Sequence, residues 1–237
     1  MLPLLQRRDN IATTIELKSD VGYLQEVLSY KAEIVNDSLI KRLFDFTVSA
    51  ILFTCVFSWL FPIIAILIKL SSRGPVLFKQ ERTGLNDKKI ICYKFRTMMV
   101  ESPVVDINGK YIQATQNDPR VTLIGKFLRK TSLDELPQFW NVLKGDMSII
   151  GPRPHPVALN IECNGTIDNY ELRHLIKPGI TGWAQVKGYR GGTKEQHLMQ
   201  TRIDHDIWYI ENWSLLLDIK VFFMTITNVI LGDENAY

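Results

Sequence analysis

The sequence predicts an α+β chain: an apolar segment embedded in a membrane, a short β-hairpin, and a small helical domain with amphipathic helices at the interface. Three observations predict it. Residues 46–68, "FTVSAILFTCVFSWLFPIIAILI", carry no charged side chain. "GPVLFKQERTGLNDKKIICYKFRTM" reads as two strands joined at the polar "GLNDKK". Leu136, Phe139, Trp140 and Leu143 recur at the i, i+3, i+4, i+7 spacing of a helix with one inward face.

At 237 residues and 46% hydrophobic, the chain can bury the core of one or two domains. A net charge of +3 is too weak to indicate nucleic acid, and no nucleic-acid partner is expected. Cys55, Cys92 and Cys163 share no zinc or disulfide spacing, which fits a reducing compartment. The start, "MLPLLQRRDNIATTIELKSD", has arginines but no apolar run after them, so no cleavable signal peptide is expected.

Residues 1–40 read as an N-terminal extension in which Val21, Leu24 and Leu28 suit a short amphipathic helix. Residues 41–73 hold the apolar segment. As a straight helix, 46–68 would reach about 35 Å at ~1.5 Å per residue, enough to cross a hydrocarbon core of ~30 Å. Three details favour a re-entrant hairpin. Pro62 removes a backbone bond inside the helix, and Ser58 one turn earlier can satisfy a freed carbonyl. Lys41 and Arg42 before the segment and Lys69 and Arg73 after it leave no charge asymmetry to set a crossing direction. A kinked spanning helix fits the same features. Asp45 is placed to pair with Lys41 or Arg42.

Residues 74–237 form the remaining domain. In the hairpin, Lys94 and Arg96 share one face, Tyr93 and Phe95 the other, and Arg82 can join the basic face across the pair. That face is either solvated or a platform for phosphate. Residues 121–144 are expected to be helical. "SIIGPRPHPV", rich in proline, must be extended or turn-like. "KPGITGWAQVKGYRGG" reads as tight turns and lacks both P-loop and dinucleotide spacing. In "WSLLLDIKVFFMTITNVIL", Ser214, Asp218, Thr225 and Asn228 share a sector of about 80° on an otherwise apolar helix, with Lys220 able to snorkel. An interfacial helix is expected there, with a core helix as the alternative. Trp208, Tyr209 and Trp213 are expected to anchor at the interface.

Asp134 and Glu135 are adjacent acids whose repulsion needs a cation nearby. The plain reading of "SLDE" is a capping box, with Ser132 as N-cap and Glu135 reaching back. Pro137 argues for a later helix start and an irregular entry at the acids. The chemical reading is phosphoryl transfer. One carboxylate can attack phosphorus. The other can hold Mg²⁺ together with substrate phosphates. Arg153, stiffened by Pro152 and Pro154, and Arg129 are candidate phosphate ligands. His155 beside the prolines reads as incidental, and Trp183 as either a stacking or a packing residue.

"KRLFDF", "GPVLFKQERTG", "YKFRTM", "DPRVTLIGKFLRKTSLDELPQFWNVLKGDMSIIGPRP" and "KPGITGWAQV" together resemble the bacterial sugar transferases, the monotopic polyprenyl-phosphate phosphoglycosyl transferases, over roughly residues 41–231. The C-terminal "DIWYIENWSLLLDIKVFFMTI" resembles the branch that transfers glucose or galactose phosphate. The resemblance implies a re-entrant helix–break–helix hairpin, broken at Pro62, below a catalytic domain at the cytoplasmic face of the bacterial inner membrane. It implies a UDP-sugar and undecaprenyl phosphate as substrates, UMP as leaving product, and a priming step in exopolysaccharide, capsule or O-antigen synthesis. It makes Asp134 the nucleophile, Glu135 the Mg²⁺ ligand with Asp134 beside it, and Arg129 and Arg153 phosphate ligands; Lys94, Arg96 and Arg82 complete the basic set. The lipid bilayer is a partner, and a homo-oligomer is compatible with the resemblance. The rivals are a membrane-anchored glycosyltransferase releasing UDP and a non-catalytic scaffold of polysaccharide assembly.

Overall fold

The computed structural model describes residues 22–103, 105–107, 111–115, 117–191 and 195–231. Helix α1 (22–36) is amphipathic as expected: Leu28 is fully buried and Leu24 packs on the same core, while Val21 lies outside the described residues. Residues 22–36 are therefore part of the folded body, tied to it also by Asn36 Nδ2, which donates to Leu175 O at 2.8 Å.

The apolar segment forms helix α2 (Leu39–Leu52), a π-helical stretch Phe53–Phe57, and helix α3 (Ser58–Ser71). The distortion lies five to nine residues N-terminal to Pro62, which itself sits inside α3. Within α3 the proline lacks the N–H that would bond Ser58 O. Side chains bond carbonyls in and beside the distorted stretch. Ser58 Oγ donates to Thr54 O at 2.8 Å, Thr54 Oγ1 to Ala50 O at 2.9 Å, and Trp59 Nε1 to Cys55 O at 3.0 Å. The carbonyl that Ser58 Oγ satisfies is that of Thr54, whereas the one left without a partner by Pro62 is that of Ser58 itself.

Both arms rest on one body. Lys41, Asp45 and Ser49 are buried on α2, and Ile64 and Ile68 on α3. Ile64 and Ile68 meet Phe95 and Leu128, while Phe57 joins the main core with Val142, Ile150 and Ile203. A ladder of rings, Phe53, Phe57, Phe61 and Phe95, links the distorted stretch to the hairpin domain at centroid distances of 5.4, 4.7 and 4.9 Å.

Strands β1 (Leu77–Thr83) and β2 (Lys89–Phe95) form the expected antiparallel hairpin, Leu77 opposite Phe95. Its turn uses Asn86 and Asp87 at φ 51° and 58°, a region these side chains tolerate. Strands β3 (Ser148–Ile150) and β4 (Gly179–Thr181) form a second, parallel pair. A Cβ on Gly179 would lie 2.1 Å from Gly151 N, so glycine lets these segments close up.

Residues 121–144 are not one helix. They divide into α4 (Leu123–Lys130), a 3-10 turn Leu133–Glu135, and α5 (Gln138–Lys144). Phe139 is buried on α5, whereas Trp140 is exposed and meets the ring of Phe53. Helices α6 (Val157–Cys163), α7 (Trp183–Val186), α8 (Gln196–Glu211) and α9 (Leu215–Leu231) complete the described body.

Helix α9 has its polar side turned inward. Asp218 is fully buried, Thr225 Oγ1 pairs with Thr181 Oγ1 at 2.9 Å, and Asn228 Nδ2 donates to Val186 O at 3.4 Å. Leu216, Phe223 and Ile230 are 78%, 61% and 77% exposed. Asp218 accepts from Lys41 Nζ at 2.6 Å, from Tyr209 OH at 2.5 Å and from Trp213 Nε1 at 3.1 Å. This latch corrects two expectations. Asp45 bonds Ile149 N at 3.0 Å instead of Lys41 or Arg42, and Arg42 caps the carbonyls of Val142 and Leu143 at the end of α5. Tyr209 is buried because its phenol is needed in the latch, leaving only Trp208 of the three aromatics substantially exposed.

Candidate active site

The acid pair sits where α4 has stopped and α5 has not begun. Ser132 adopts φ 57°, a left-handed conformation, and makes no cap bond. Its hydroxyl instead accepts from Arg190 Nη2 at 2.7 Å. The capping box is therefore not formed, and the helix starts only after Pro137. Freed from capping, Glu135 points into a cluster of donors. Lys94 Nζ reaches its Oε1 at 2.7 Å, Arg153 Nη2 reaches the same oxygen at 2.5 Å, and Gln138 Nε2 donates to Oε2.

Asp134 is buried beside it, and among the described residues its carboxylate has no hydrogen-bond partner. Burial, reinforced by the Glu135 charge, pushes Asp134 up to about 6, against the pull of Lys94, Arg129 and Arg153. Glu135 feels burial as strongly, yet Arg153 and Lys94 outweigh it and hold that carboxyl well below the ordinary range. Burial brings Lys94 down to about 8 despite Glu135. Adjacent acids thus have opposite characters: one saturated with cations, one unpaired and raised to about 6.

Both open on a cavity of about 350 Å³ lined also by Arg82, Arg96, Arg129, Arg153, Arg190 and Arg202. The structure brings every basic residue expected from the sequence to this cavity, but not to one role. Lys94 and Arg153 hold Glu135. Arg129 Nε bonds Thr97 Oγ1 at 2.9 Å while its charge acts on Asp134. Arg82 Nη1 donates to Pro154 O at 2.6 Å, bracing the Pro-Arg-Pro turn. Arg96 donates to Ser72 O at 2.8 Å and to Arg73 O, closing the end of α3.

Further buried charges near the site were missed. Arg173, almost fully buried, donates to Arg153 O at 2.6 Å, contacts His155 Nδ1 at 2.8 Å and pairs with Asp206 at 2.8 Å. His155 is thus a fixed part of the turn and not incidental. It faces an arginine, and burial together with that charge holds it well below its ordinary pKa, as the neutral imidazole. Arg202 donates to the carbonyls of Tyr189 and Gly191, fixing the turn that carries Arg190. Their one signal in the sequence is charge on segments that otherwise read as packed.

No cluster of three or more His, Cys, Asp or Glu exists among the described residues. The two adjacent carboxylates on the basic cavity could hold Mg²⁺, which keeps few protein ligands and takes the rest from substrate phosphate and water. The unpaired oxygens of Asp134 are open to it; those of Glu135 would have to give up Lys94 or Arg153.

The family model for bacterial sugar transferase matches residues 36–232. The chain is 52% identical over 189 residues to the UDP-glucose:undecaprenyl-phosphate glucose-1-phosphate transferase of Escherichia coli (strain K12), covering 79% of this chain and 39% of that protein. It is 45% identical over 197 residues to the protein of the same name from Caulobacter vibrioides, covering 83% of this chain and 72% of the relative. It is 43% identical over 199 residues to the exopolysaccharide production protein PSS of Rhizobium leguminosarum bv. phaseoli, covering 81% and 96%. The chain spans only 39% of the length of the Escherichia coli protein, and 41% and 35% of proteins of the same name from Klebsiella pneumoniae and Xanthomonas campestris pv. campestris. With the family model spanning the hairpin, the acid pair and the Pro-Arg-Pro turn, the chain belongs to the bacterial sugar transferase family.

Proposed function

We propose that the chain transfers a hexose-1-phosphate from a UDP-sugar to undecaprenyl phosphate, releasing UMP, as a priming step of polysaccharide synthesis. The observation that carries this is the unpaired Asp134 carboxylate in a basic cavity beside a Glu135 already neutralised by Lys94 and Arg153. A carboxylate without a hydrogen-bond partner keeps its lone pairs for attack. The names of the relatives, at 45–52% identity, support the donor and acceptor.

In the first step an Asp134 oxygen forms a bond to the β-phosphorus of the donor, and the bond from that phosphorus to the oxygen bridging to UMP breaks. UMP leaves with the electron pair. In the second, an oxygen of the lipid phosphate attacks the same phosphorus and Asp134 departs as carboxylate. Arg153 and Lys94 can pivot from Glu135 onto phosphoryl oxygens as charge moves there. The charge of Arg129 also favours the ionised form of Asp134. Bound Mg²⁺ would supply charge neutralisation on the diphosphate at the acid pair.

The acceptor is a membrane lipid, and the fold suits that. Both ends of 39–71 rest on the same body, so a crossing helix would draw part of that body through the bilayer. A re-entrant arrangement leaves the body on one face, the cytoplasmic one, where UDP-sugars are made. The outward apolar sides of α9 and of α4, with Leu123 and Phe127 exposed, would lie at the interface. Holding the site at headgroup depth raises the effective concentration of the acceptor phosphate.

The purified chain, given UDP-glucose and undecaprenyl phosphate, should release UMP and no UDP. Asp134→Asn should abolish UMP release both with and without acceptor. Release of UDP would establish the rival glycosyltransferase, and an active Asp134→Asn would remove the nucleophile.

A further inference from the structure

The α7–α9 junction holds two like charges with nothing to balance them. Lys187 Nζ lies 4.7 Å from the Trp183 ring centre and Lys220 Nζ 5.7 Å from the same centre. Trp208 stacks on Trp183 at 4.8 Å with the planes 21° apart, covering one face of the indole. Both ammonium groups thus lie near the one indole ring. Both lysines are exposed, and among the described residues neither has an ion pair. Ring quadrupoles favour each cation singly, but two cations over one ring repel.

The setting says what would relieve them. Lys220 projects from α9 between Leu216, one turn before, and Phe223, one turn after, both strongly exposed. The charges thus edge an outward apolar face. A free anion would use only the charges; a lipid carrying a phosphate would use both the charges and the apolar side chains. We propose that Lys187 and Lys220 form a headgroup site for an anionic membrane phospholipid, its phosphate bridging the two ammonium groups over Trp183 and its acyl chains lying against Leu216 and Phe223. No group-transfer step is involved. Lys187 precedes cavity-lining Arg190 by one tight turn, so a lipid held there would border the mouth of the active site. The site rests on the reading that the outer face of α9 meets the bilayer.

The test uses the full chain in nanodiscs of neutral phosphatidylcholine, titrated with dioctanoyl phosphatidic acid while tryptophan emission is followed. Wild type should show a saturable change from the Trp183–Trp208 pair. Lys187→Gln/Lys220→Gln should shift the midpoint roughly tenfold upward, as expected for losing two cations at a charged surface. Lys126→Gln/Lys130→Gln, which removes two exposed lysines of α4, should titrate like wild type. An equal shift in both variants, or none in the first, would overturn the site. So would a response to inorganic phosphate as strong as that to the lipid. Failure of the wild-type chain to enter neutral nanodiscs would sink the interfacial reading and the site together; normal entry with indistinguishable titrations would sink the site alone.

Discussion

Asp134 and Glu135 show how far two neighbouring carboxyls can be driven apart by what surrounds each. On the proposed mechanism Asp134 attacks in its ionised form, so kcat/KM for the donor should rise with pH through about 6 and fall above about 8 as Lys94 loses its proton, the two limbs belonging to the coupled cluster. UMP release across pH 5 to 9 measures this; a flat profile would remove the assignment. The same shift has a cost in stability. A carboxyl raised above its ordinary 3.8 favours folding below that pH, and this contribution is lost as pH rises through about 6. Asp134→Asn should therefore be more stable than wild type at pH 7.5, by on the order of 1–3 kcal/mol, and not at pH 4. Thermal melts at both values decide it. The acids were legible in the sequence because their spacing and the turn after Pro152 are local. Their environments were not, since Lys94 and Arg153 come from segments 41 and 18 residues away.

Among the elements, the apolar segment was readable from composition, but the place of its distortion was not. The irregular geometry falls at Phe53–Phe57, upstream of Pro62 and not at it, with side chains bonding carbonyls in and beside that stretch. The sequence pattern of α9 was also visible, and its polar sector is real; what periodicity cannot say is which way a sector faces. Here tertiary partners claim the polar residues, while Leu216, Phe223 and Ile230 are left outside. The re-entrant reading makes a labelling prediction. Leu39 and Leu70, exposed at opposite ends of the segment, should become accessible from the same side of the membrane when replaced singly by Cys in a chain lacking Cys55. A charged maleimide applied to inverted and right-side-out vesicles reads this out. Labelling of the two positions from opposite sides would establish a crossing helix.

For the whole molecule, the longest-range polar contact joins the entry of α2 to the last described helix. Lys41 and Asp218 are 177 residues apart in the chain, 2.6 Å apart in space, and both nearly inaccessible. Breaking one side leaves a buried charge alone, so Lys41→Met or Asp218→Leu should each cost roughly 3–5 kcal/mol, while the double replacement should recover at least half of that. Melts of the reconstituted chain test it; additive losses would mean the pair is not a unit. No pattern in the sequence announces such a pairing, because neither residue has a local partner that would single it out. The latch also orders events during synthesis. At roughly 5–20 residues per second, Asp218 leaves the ribosome on the order of ten seconds or more after Lys41. On the re-entrant reading the lysine would stay hydrated through that interval, and a hydrated ammonium would keep the nascent segment's leading end from sinking before its anchor arrives.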